Sequence, residues 1–348
     1  WMASCRQYKK DTSGYLGRPK MPHYKRKKSL SSFTFTNQDC YVLEQGNKNL
    51  LKFPAVRGHY LPIGPVSGRL KQVEVKPYYG EFLVICIFET DEDCSSLPDG
   101  ASCGIDLGVD NTAALVSSNG RCVLYKGGAL KSANQWYNKQ MADCRSLAMK
   151  GHTADEAAKL GLLHTKKMQA LSRRRNQFFH DTMHKIASDI VHFCLASGIT
   201  TIVIGKNKNW KQKSNIGHVN NQNFVQIPLE TLRWMITYKA ESAGLIVVEQ
   251  EESYTSKASL VDGDEIPVYG KETKNLVAFS GHRIKRGLYR TGSGQVINAD
   301  LNGAGNILRK YIPDAFKDRK DFVFLDQILV RNYPCLNKRI PVKGIGAA

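Results

Sequence analysis

The first part of the chain carries the hydrophobic pattern of short β-strands. Apolar and polar residues alternate with period two at 32–36 and again at 72–76, and the turn-forming stretch 77–80 leads into an apolar run at 82–88. Alternation of this kind sends successive side chains to opposite faces of a sheet. Short strands separated by turns over 31–89 therefore predict a small β-barrel or sandwich.

From residue 103 onward, strand patterns alternate with helical ones. A hairpin opens on Asp106, helical spacing of apolar residues follows, and short β-branched apolar runs then alternate with further helices. Continuously apolar runs of strand length are typical of buried strands with helices on the sheet faces. This part is therefore predicted to be α/β, after a turn-rich linker at 91–102. The predicted helical regions lie at 131–197, 228–243 and 299–310, and the predicted apolar strands at 200–204 and 245–248.

The composition adds a large positive charge to this picture. The 348 residues include 50 lysines and arginines against 31 aspartates and glutamates, which gives a formal net charge of +19. Such a surplus favours a nucleic-acid partner over a basic enzyme whose charge only aids solubility. The candidate nucleic-acid contacts form three basic groups: Lys25, Arg26, Lys27 and Lys28; Arg173, Arg174 and Arg175; and Arg283, Lys285 and Arg286.

The cysteines and the apolar runs argue against other classes of protein. The nine cysteines are scattered and form no Cys-x-x-Cys pair. This pattern argues against a disulfide framework and against a structural zinc site, which needs clustered ligands. No apolar run reaches the ~20 residues of a membrane-spanning helix, and no signal peptide opens the chain. A cytoplasmic protein without a membrane partner is therefore expected. The first residue is Trp1, so either the chain is trimmed or its N-terminal lobe is a reduced form.

Acidic residues stand where predicted strands end or a predicted helix begins. Asp106 lies between glycines in the first α/β strand, and Asp300 opens the last helix. Glu251 and Glu252 close the apolar strand at 245–248. Each has an ordinary explanation by itself, namely a turn residue, a helix N-cap and a solvated strand end.

Together, the motifs around these positions resemble the TnpB family, which comprises transposon-encoded, RNA-guided DNA nucleases related to type V CRISPR effectors. The resemblance covers essentially the whole chain. It is carried by GIDLGVDN at 104–111, YTS at 254–256 and NADLNGAGN at 298–306, with similar segments at 17–22, 222–228 and 235–241.

This resemblance implies an RNase H-like, RuvC-type nuclease core. The carboxylates of such a core hold two Mg²⁺ ions about 4 Å apart, one activating water and the other stabilising the leaving oxygen. Hard divalent cations prefer oxygen ligands, which is why this chemistry needs carboxylates. Asp106 matches the first catalytic aspartate of the family and Asp300 the last. The implied partners are a guide RNA and a double-stranded target DNA.

The second catalytic position departs from the family pattern. In most relatives the second catalytic strand ends in glutamate, whereas here Gly205, Lys206 and Asn207 follow the apolar run. Glu252 is the expected replacement as catalytic residue and metal ligand, with Glu251 as the alternative. Strand alternation sends these two neighbours to opposite faces, so only one of them can point at a given metal.

The zinc-binding pattern of the family is also missing. Relatives commonly carry two Cys-x-x-Cys pairs before the last aspartate, but this chain has no cysteine between Cys194 and Cys335. The corresponding ribbon is therefore expected to contain no structural zinc and to be held by packing around residues such as Ile284 and Tyr289.

The leading hypothesis is an RNA-guided, Mg²⁺-dependent DNA endonuclease of a transposon, which cuts beside a short flanking motif and associates with a prokaryotic nucleoid. One alternative is a guided DNA-binding repressor or transposition accessory protein with an impaired nuclease site. Another is an RNase H-like transposase or structure-specific nuclease that needs no RNA. The expected domains are a basic arm with a wedge-like (OB-like) β-barrel at 1–100, a RuvC-like core with a helical insertion at 101–256, a target-nucleic-acid-binding insertion at 257–298, and the last RuvC segment with a tail at 299–348.

Overall fold

The computed structural model of the chain divides into two compact units, Trp1–Asp91 and Glu92–Ala348. The described residues are 1–21, 30–54, 58–90, 97–206, 226–268, 278–319 and 321–336. The candidate contacts Lys25, Arg26, Lys27 and Lys28 lie outside these ranges, as do residues 222–225 of one motif segment.

The first unit contains one helix and two small antiparallel sheets. Its elements are α1 (Met2–Lys10), β1 (Phe33–Thr36), β2 (Tyr41–Gln45), β3 (Lys48–Lys52), β4 (Leu61–Ile63), β5 (Arg69–Tyr78) and β6 (Glu81–Glu89). The sheets have the orders β1-β5-β6 and β2-β3-β4, and Leu51 and Val73 are fully buried in the core. The predicted strands at 32–36, 72–76 and 82–88 are confirmed. The described strands pair as two separate sheets, so a closed barrel stays a prediction.

The second unit is built on a six-stranded mixed sheet with the order β11-β10-β7-β8-β9-β15. Strands β7, β8 and β9 form an antiparallel meander, β10 runs parallel to both β7 and β11, and β15 runs parallel to β9. The strands of this unit are β7 (Ala101–Asp106), β8 (Asn111–Ser117), β9 (Cys122–Lys126), β10 (Ile199–Lys206), β11 (Ile246–Glu251), β12 (His282–Lys285), β13 (Leu288–Arg290), β14 (Val296–Asn298) and β15 (Leu329–Arg331).

Helices cover both faces of this sheet, which confirms the α/β prediction. Ile105 and Leu115 pack with the helices at Gly128–Ala148, Lys166–Ala196 and Leu229–Ser242, whereas Ala114 and Val116 on the opposite face pack with the helix at Ala299–Tyr311. Each face thus receives every second residue of a strand, as the pleat requires. No helix among the described residues is long and apolar enough to cross a membrane. The helices are α2 (Gly128–Ala148), α3 (Ala154–Lys159), α4 (Lys166–Ala196), α5 (Leu229–Ser242) and α6 (Ala299–Tyr311).

Helix α6 approaches β7 so closely that the strand needs glycine at position 104. A Cβ on Gly104 would overlap the carbonyl oxygen of Ala304. Gly303 lies beside the Asp106 carboxylate in the same contact. The small residues of the two motifs therefore bring the end of β7 against the first turns of α6.

Strands β12, β13 and β14 form a small antiparallel sheet between β11 and α6 in the sequence. Tyr289 at its centre is fully buried, and its hydroxyl donates a hydrogen bond to the Lys257 carbonyl at 2.8 Å. Ile284 is exposed, so the expectation that this residue packs in the ribbon core was wrong. Residues 282–290, which form β12, the turn and β13, are called the basic hairpin below.

Candidate active site

The sheet topology brings Asp106 and Glu252 to one edge of the sheet. Asp106 is the last residue of β7, and Glu252 follows the last residue of β11, with β10 parallel to both strands between them. The carboxyl ends of parallel strands meet at the same edge. Asp300 joins them from the first turn of α6. We call Asp106, Glu252 and Asp300 the carboxylate cluster.

Asp106 is a carboxyl whose ionisation the structure opposes. Burial raises the pKa of its carboxyl well above the ordinary value, the negative charges of Glu252 and Asp300 raise it further, and Arg283 partly offsets this. Its Oδ2 lies 2.9 Å from the position that a Cβ on Gly303 would take. The cluster therefore concentrates negative charge where water cannot solvate it well.

Asp300 is held at the start of α6 by two asparagines. The Asn298 side chain caps the helix by accepting hydrogen bonds from the backbone N–H groups of Asp300 and Leu301. The Asn111 Nδ2 donates to the Asp300 Oδ2 at 2.6 Å. A carboxylate in the first turn is also favoured by the helix dipole. The orientation of Asp300 is thus fixed from both its backbone and its side chain.

The structure gives Glu251 and Glu252 different surroundings. The Lys310 Nζ donates to Glu251 Oε2 at 2.6 Å, and the Ser253 backbone N–H donates to Glu251 Oε1, also at 2.6 Å. Partial burial opposes ionisation of Glu251, but the hydrogen bonds from Lys310 and Ser253 outweigh it and lower the pKa. Glu251 is therefore engaged in an ion pair with α6, and its role as the alternative catalytic residue stays a prediction.

The Glu252 side chain lies against Gly205 at the end of β10. A Cβ on Gly205 would overlap the Glu252 Oε2 and the Ile307 side chain. Gly205 thus leaves room for a carboxylate that comes from the neighbouring strand. This is the same end of β10 at which the family pattern implies a glutamate.

Two buried asparagines of α6 hold the loop that follows Glu252. The Asn302 side chain accepts from the Leu260 N–H at 2.9 Å and donates to the Ala258 carbonyl at 2.8 Å. Asn306 donates to the Thr255 carbonyl at 3.0 Å and to the Ala258 carbonyl at 2.7 Å. Both side chains are fully buried. This role was not predicted from the sequence. The signal that could have indicated it is the pair of asparagines four positions apart, Asn302 and Asn306, on the buried face of α6.

The donor set of the cluster fits a hard divalent cation, because its three side chains offer carboxylate oxygens. In the described part of the chain, however, no three or more His, Cys, Asp or Glu side chains are close enough together to hold an ion as they stand. The negative charges of Glu252 and Asp300 act on Asp106 without a cation between them, which is part of why the pKa of Asp106 is raised.

The basic hairpin reaches the cluster and its neighbours. Arg283 Nη2 lies 3.9 Å from Asp300 Oδ1, and Arg286 forms an ion pair with Asp110. Asp110 also pairs with Lys131, and although burial opposes ionisation, these cations lower the pKa of its carboxyl. Lys285 is exposed between the two arginines. Two of the three candidate contacts in the hairpin thus lie beside acidic residues of this edge.

The three arginines of α4 differ in their surroundings. Arg174 is exposed and lies over the Trp136 ring, with 5.2 Å between its guanidinium carbon and the ring centroid. Arg175 instead donates to the Asn134 side chain and to the Gln226 carbonyl, both at 2.8 Å, and lies over the Phe179 ring. Arg175 therefore connects α2, α4 and the segment before α5. Nucleic-acid binding by Arg173, Arg174 and Arg175 stays a prediction.

Asp262 connects the loop after Glu252 to the small sheet. Its Oδ2 accepts hydrogen bonds from the Ser280 hydroxyl at 3.0 Å and the Gly292 N–H at 2.6 Å, and its Oδ1 accepts from the Ser293 N–H at 3.0 Å. The Ser259 hydroxyl donates to Oδ2 as well. These bonds link three chain segments at one carboxylate, which is the crosslinking task that a zinc ion performs in a ribbon.

We expect Asp262→Ala to loosen the small sheet. Loss of charged hydrogen bonds at a partly solvated site should cost about 1–2 kcal/mol, and the amides of Gly292 and Ser293 should exchange faster with solvent. Hydrogen exchange followed by mass spectrometry measures this effect locally. Asp143→Asn on the exposed face of α2 is the control. Unchanged exchange at Gly292 and Ser293 would contradict the role given to Asp262.

Comparisons with known proteins place these motifs in a family context. Residues 86–211 match the model of a family described as a probable transposase, and residues 230–307 match that of the TNB domain of Cas12f1-like proteins. A TnpB-like protein, ORF457 of Acidianus two-tailed virus, is 28% identical over 214 residues, which are 60% of this chain and 41% of that protein. The chain thus aligns with less than half the length of this relative.

The chain also aligns with solved structures at low similarity. The Cas12f1–sgRNA–target DNA complex aligns with a TM-score of 0.40 and 16% identity, covering 82% of this chain and 68% of that one. A CRISPR-Cas12f ternary complex aligns with a TM-score of 0.41 and 14% identity, covering 83% and 65%. The family models and the viral relative confirm the resemblance to the TnpB family.

Proposed function

We propose that this protein is an RNA-guided DNA endonuclease that depends on a divalent cation, with Mg²⁺ as the physiological ion. The observation that carries the proposal is the carboxylate cluster, in which burial and the charges of Glu252 and Asp300 raise the pKa of Asp106. Partly buried carboxylates that repel one another are stabilised as anions by a counter-charge, and oxygen donors suit Mg²⁺.

In this proposal Asp106, Glu252 and Asp300 hold the metal ions, and Glu251 is a structural residue. When bound, two such ions activate water and stabilise the leaving oxygen of a phosphodiester, which leaves 5′-phosphate and 3′-hydroxyl ends. Asn298 and Asn111 orient Asp300, while Asn302 and Asn306 fix the loop that carries Glu252.

The basic residues serve the nucleic acids in this scheme. Arg283 lies beside Asp300, so the basic hairpin is suited to hold a target strand against the cluster. Lys285 and Arg286 extend this surface, and Arg173 and Arg174 with Lys25–Lys28 would contact the guide or the heteroduplex backbone. We propose residues 1–100 as arm and wedge, 101–256 and 299–348 as the RuvC-like parts, and 257–298 as the target-binding insertion.

The test is expression of the chain with its native flanking DNA, followed by sequencing of the RNA that co-purifies. We expect one discrete RNA species, and Mg²⁺-dependent cutting of a plasmid that carries its complement beside a library of flanking sequences. A plasmid without the complement is the control and should stay intact. Cutting without any RNA would favour the autonomous nuclease instead.

A second candidate function is favoured by Gly205, which stands where the family pattern implies a catalytic glutamate. If Glu252 does not replace that residue, the protein would bind guided DNA without cutting it and act as a repressor or transposition accessory. Target binding in a gel-shift assay, with no cutting by the wild type over a range of Mg²⁺ concentrations, would establish this alternative.

A further inference from the structure

Asn111 is a buried polar residue of the site and the last residue of the motif at 104–111, and the resemblance gives it no role. It is the first residue of β8, its side chain is 94% buried, and its Nδ2 donates to Asp300 Oδ2 at 2.6 Å. Because a carboxylate only accepts hydrogen bonds, this contact fixes which end of the Asn111 amide faces Asp300. The amide oxygen must then face elsewhere.

The Asn111 Oδ1 accepts no hydrogen bond among the described residues and is closed off from solvent. An unsatisfied polar atom in this position costs roughly 1–3 kcal/mol, so its retention calls for an explanation. The oxygen belongs to the same carboxamide that holds Asp300 and therefore lies within a few ångströms of that carboxylate. Amide oxygens are ordinary ligands of hard divalent cations.

We propose that Asn111 is an additional oxygen ligand of the site, whose Oδ1 binds the divalent cation held by Asp300 while its Nδ2 orients the Asp300 carboxylate. This inference rests on the cation dependence of the proposed function. A neutral ligand suits this position, because it adds an oxygen without adding a further negative charge beside Asp106, Glu252 and Asp300.

Two substitutions separate the role of Asn111 as a ligand from its role in positioning Asp300. Asn111→Ala removes both the oxygen and the donor. Asn111→Asp keeps an oxygen at the same place but replaces the donor to Asp300 with a second carboxylate. A purely structural Asn111 would make the aspartate variant at least as defective as the alanine variant, whereas a ligand would make it the better cation binder.

The experiment is a Mn²⁺ titration of the full chain without DNA, followed by electron paramagnetic resonance and by the Tm. We expect Asn111→Ala to weaken Mn²⁺ binding by about tenfold or more. Asn111→Asp should bind Mn²⁺ at least as tightly as the wild type, with a lower Tm in EDTA and a larger rise in Tm on adding Mn²⁺. Asn119→Ala, which loses side-chain hydrogen bonds to Ser117 and Ser197 beyond the other end of β8, should not change Mn²⁺ affinity.

The outcomes are distinguishable from failure of the proposed function. If Asp106→Asn abolishes Mn²⁺ binding while Asn111→Ala binds like the wild type, the cation site stands and the role given to Asn111 is overturned. Equal weakening in Asn111→Ala and Asn111→Asp would also overturn it, because only the donor to Asp300 would then matter. A wild type that binds no Mn²⁺ would remove the proposed function together with this inference.

Discussion

The Asp106→Asn substitution is expected to reduce target DNA cleavage by at least about 10²-fold, while guide RNA remains bound. Loss of a residue that only supports a metal ligand can already cost about 10²-fold, so loss of a ligand should cost at least as much. Asparagine fills nearly the same space against Gly303, so the close contact of β7 with α6 should survive. What is lost is the carboxylate charge that a cation needs. A plasmid cleavage assay measures the first effect, and RNA recovery during purification measures the second.

The same variant should be more stable than the wild type when divalent cations are removed. Because folding raises the pKa of Asp106, the contribution of this group to stability is present below the ordinary carboxyl pKa and is lost as the pH rises through the raised pKa. In EDTA near neutral pH, Asp106→Asn should therefore have the higher Tm, by roughly 2–4 °C for each kcal/mol of repulsion removed. The exposed Asp143→Asn variant should show no such gain. Full cutting by Asp106→Asn would refute the catalytic assignment.

Glu252→Gln is expected to abolish cleavage as completely as Asp106→Asn, whereas Glu251→Gln should keep most of the activity. The physical reason is the different partner of each residue. Glu251 neutralises the Lys310 ammonium, which is only 5% exposed, and Glu252 has its carboxylate against Gly205 at the site. Glu251→Gln should instead lower the free energy of unfolding by about 1–3 kcal/mol, because Lys310 keeps its charge without a charged partner.

Single-turnover cleavage and thermal unfolding of both variants separate these effects. Gly205→Ala provides a third comparison, since its added Cβ would overlap the Glu252 carboxylate and should reproduce much of the Glu252→Gln defect. Loss of activity in Glu251→Gln with full activity in Glu252→Gln would exchange the two roles. A wild type without activity, unchanged by either substitution, would favour the guided DNA-binding alternative.

The sequence alone predicted the positions of the main strands well. Continuous apolar runs at 200–204 and 245–248 correctly predicted the strands β10 (Ile199–Lys206) and β11 (Ile246–Glu251). The expectation that both strands are buried was wrong for β11, which is an edge strand with no buried residue. The acidic residues were visible because each interrupts an apolar pattern at the end of an element. The spacing of apolar residues thus predicts where strands and helices end, and therefore which acidic residues stand at those ends.

The supporting contacts could not be predicted in this way, because they join residues that are far apart in the chain. Asn111 and Asp300 are separated by 189 positions, and Asn302 and Ala258 by 44. Asparagine at the start of a strand or on a helix is compatible with many partners, and only the packing of α6 on the sheet selects among them. For the same reason Arg175 resembled its exposed neighbour Arg174 in the sequence, although its guanidinium is hydrogen-bonded inside the unit.

The contact between Gly205 and Glu252 has a consequence for how such a site can change during evolution. A side chain at position 205 would meet the Glu252 carboxylate, so carboxylates at both positions would require the Glu252 side chain to move from where it lies. Moving the carboxylate from β10 to the residue after β11 therefore takes two substitutions, one at position 205 and one at position 252, which can occur in either order. One order passes through a crowded intermediate with two carboxylates, and the other through an ancestor with none, which would recognise its target and leave it uncut.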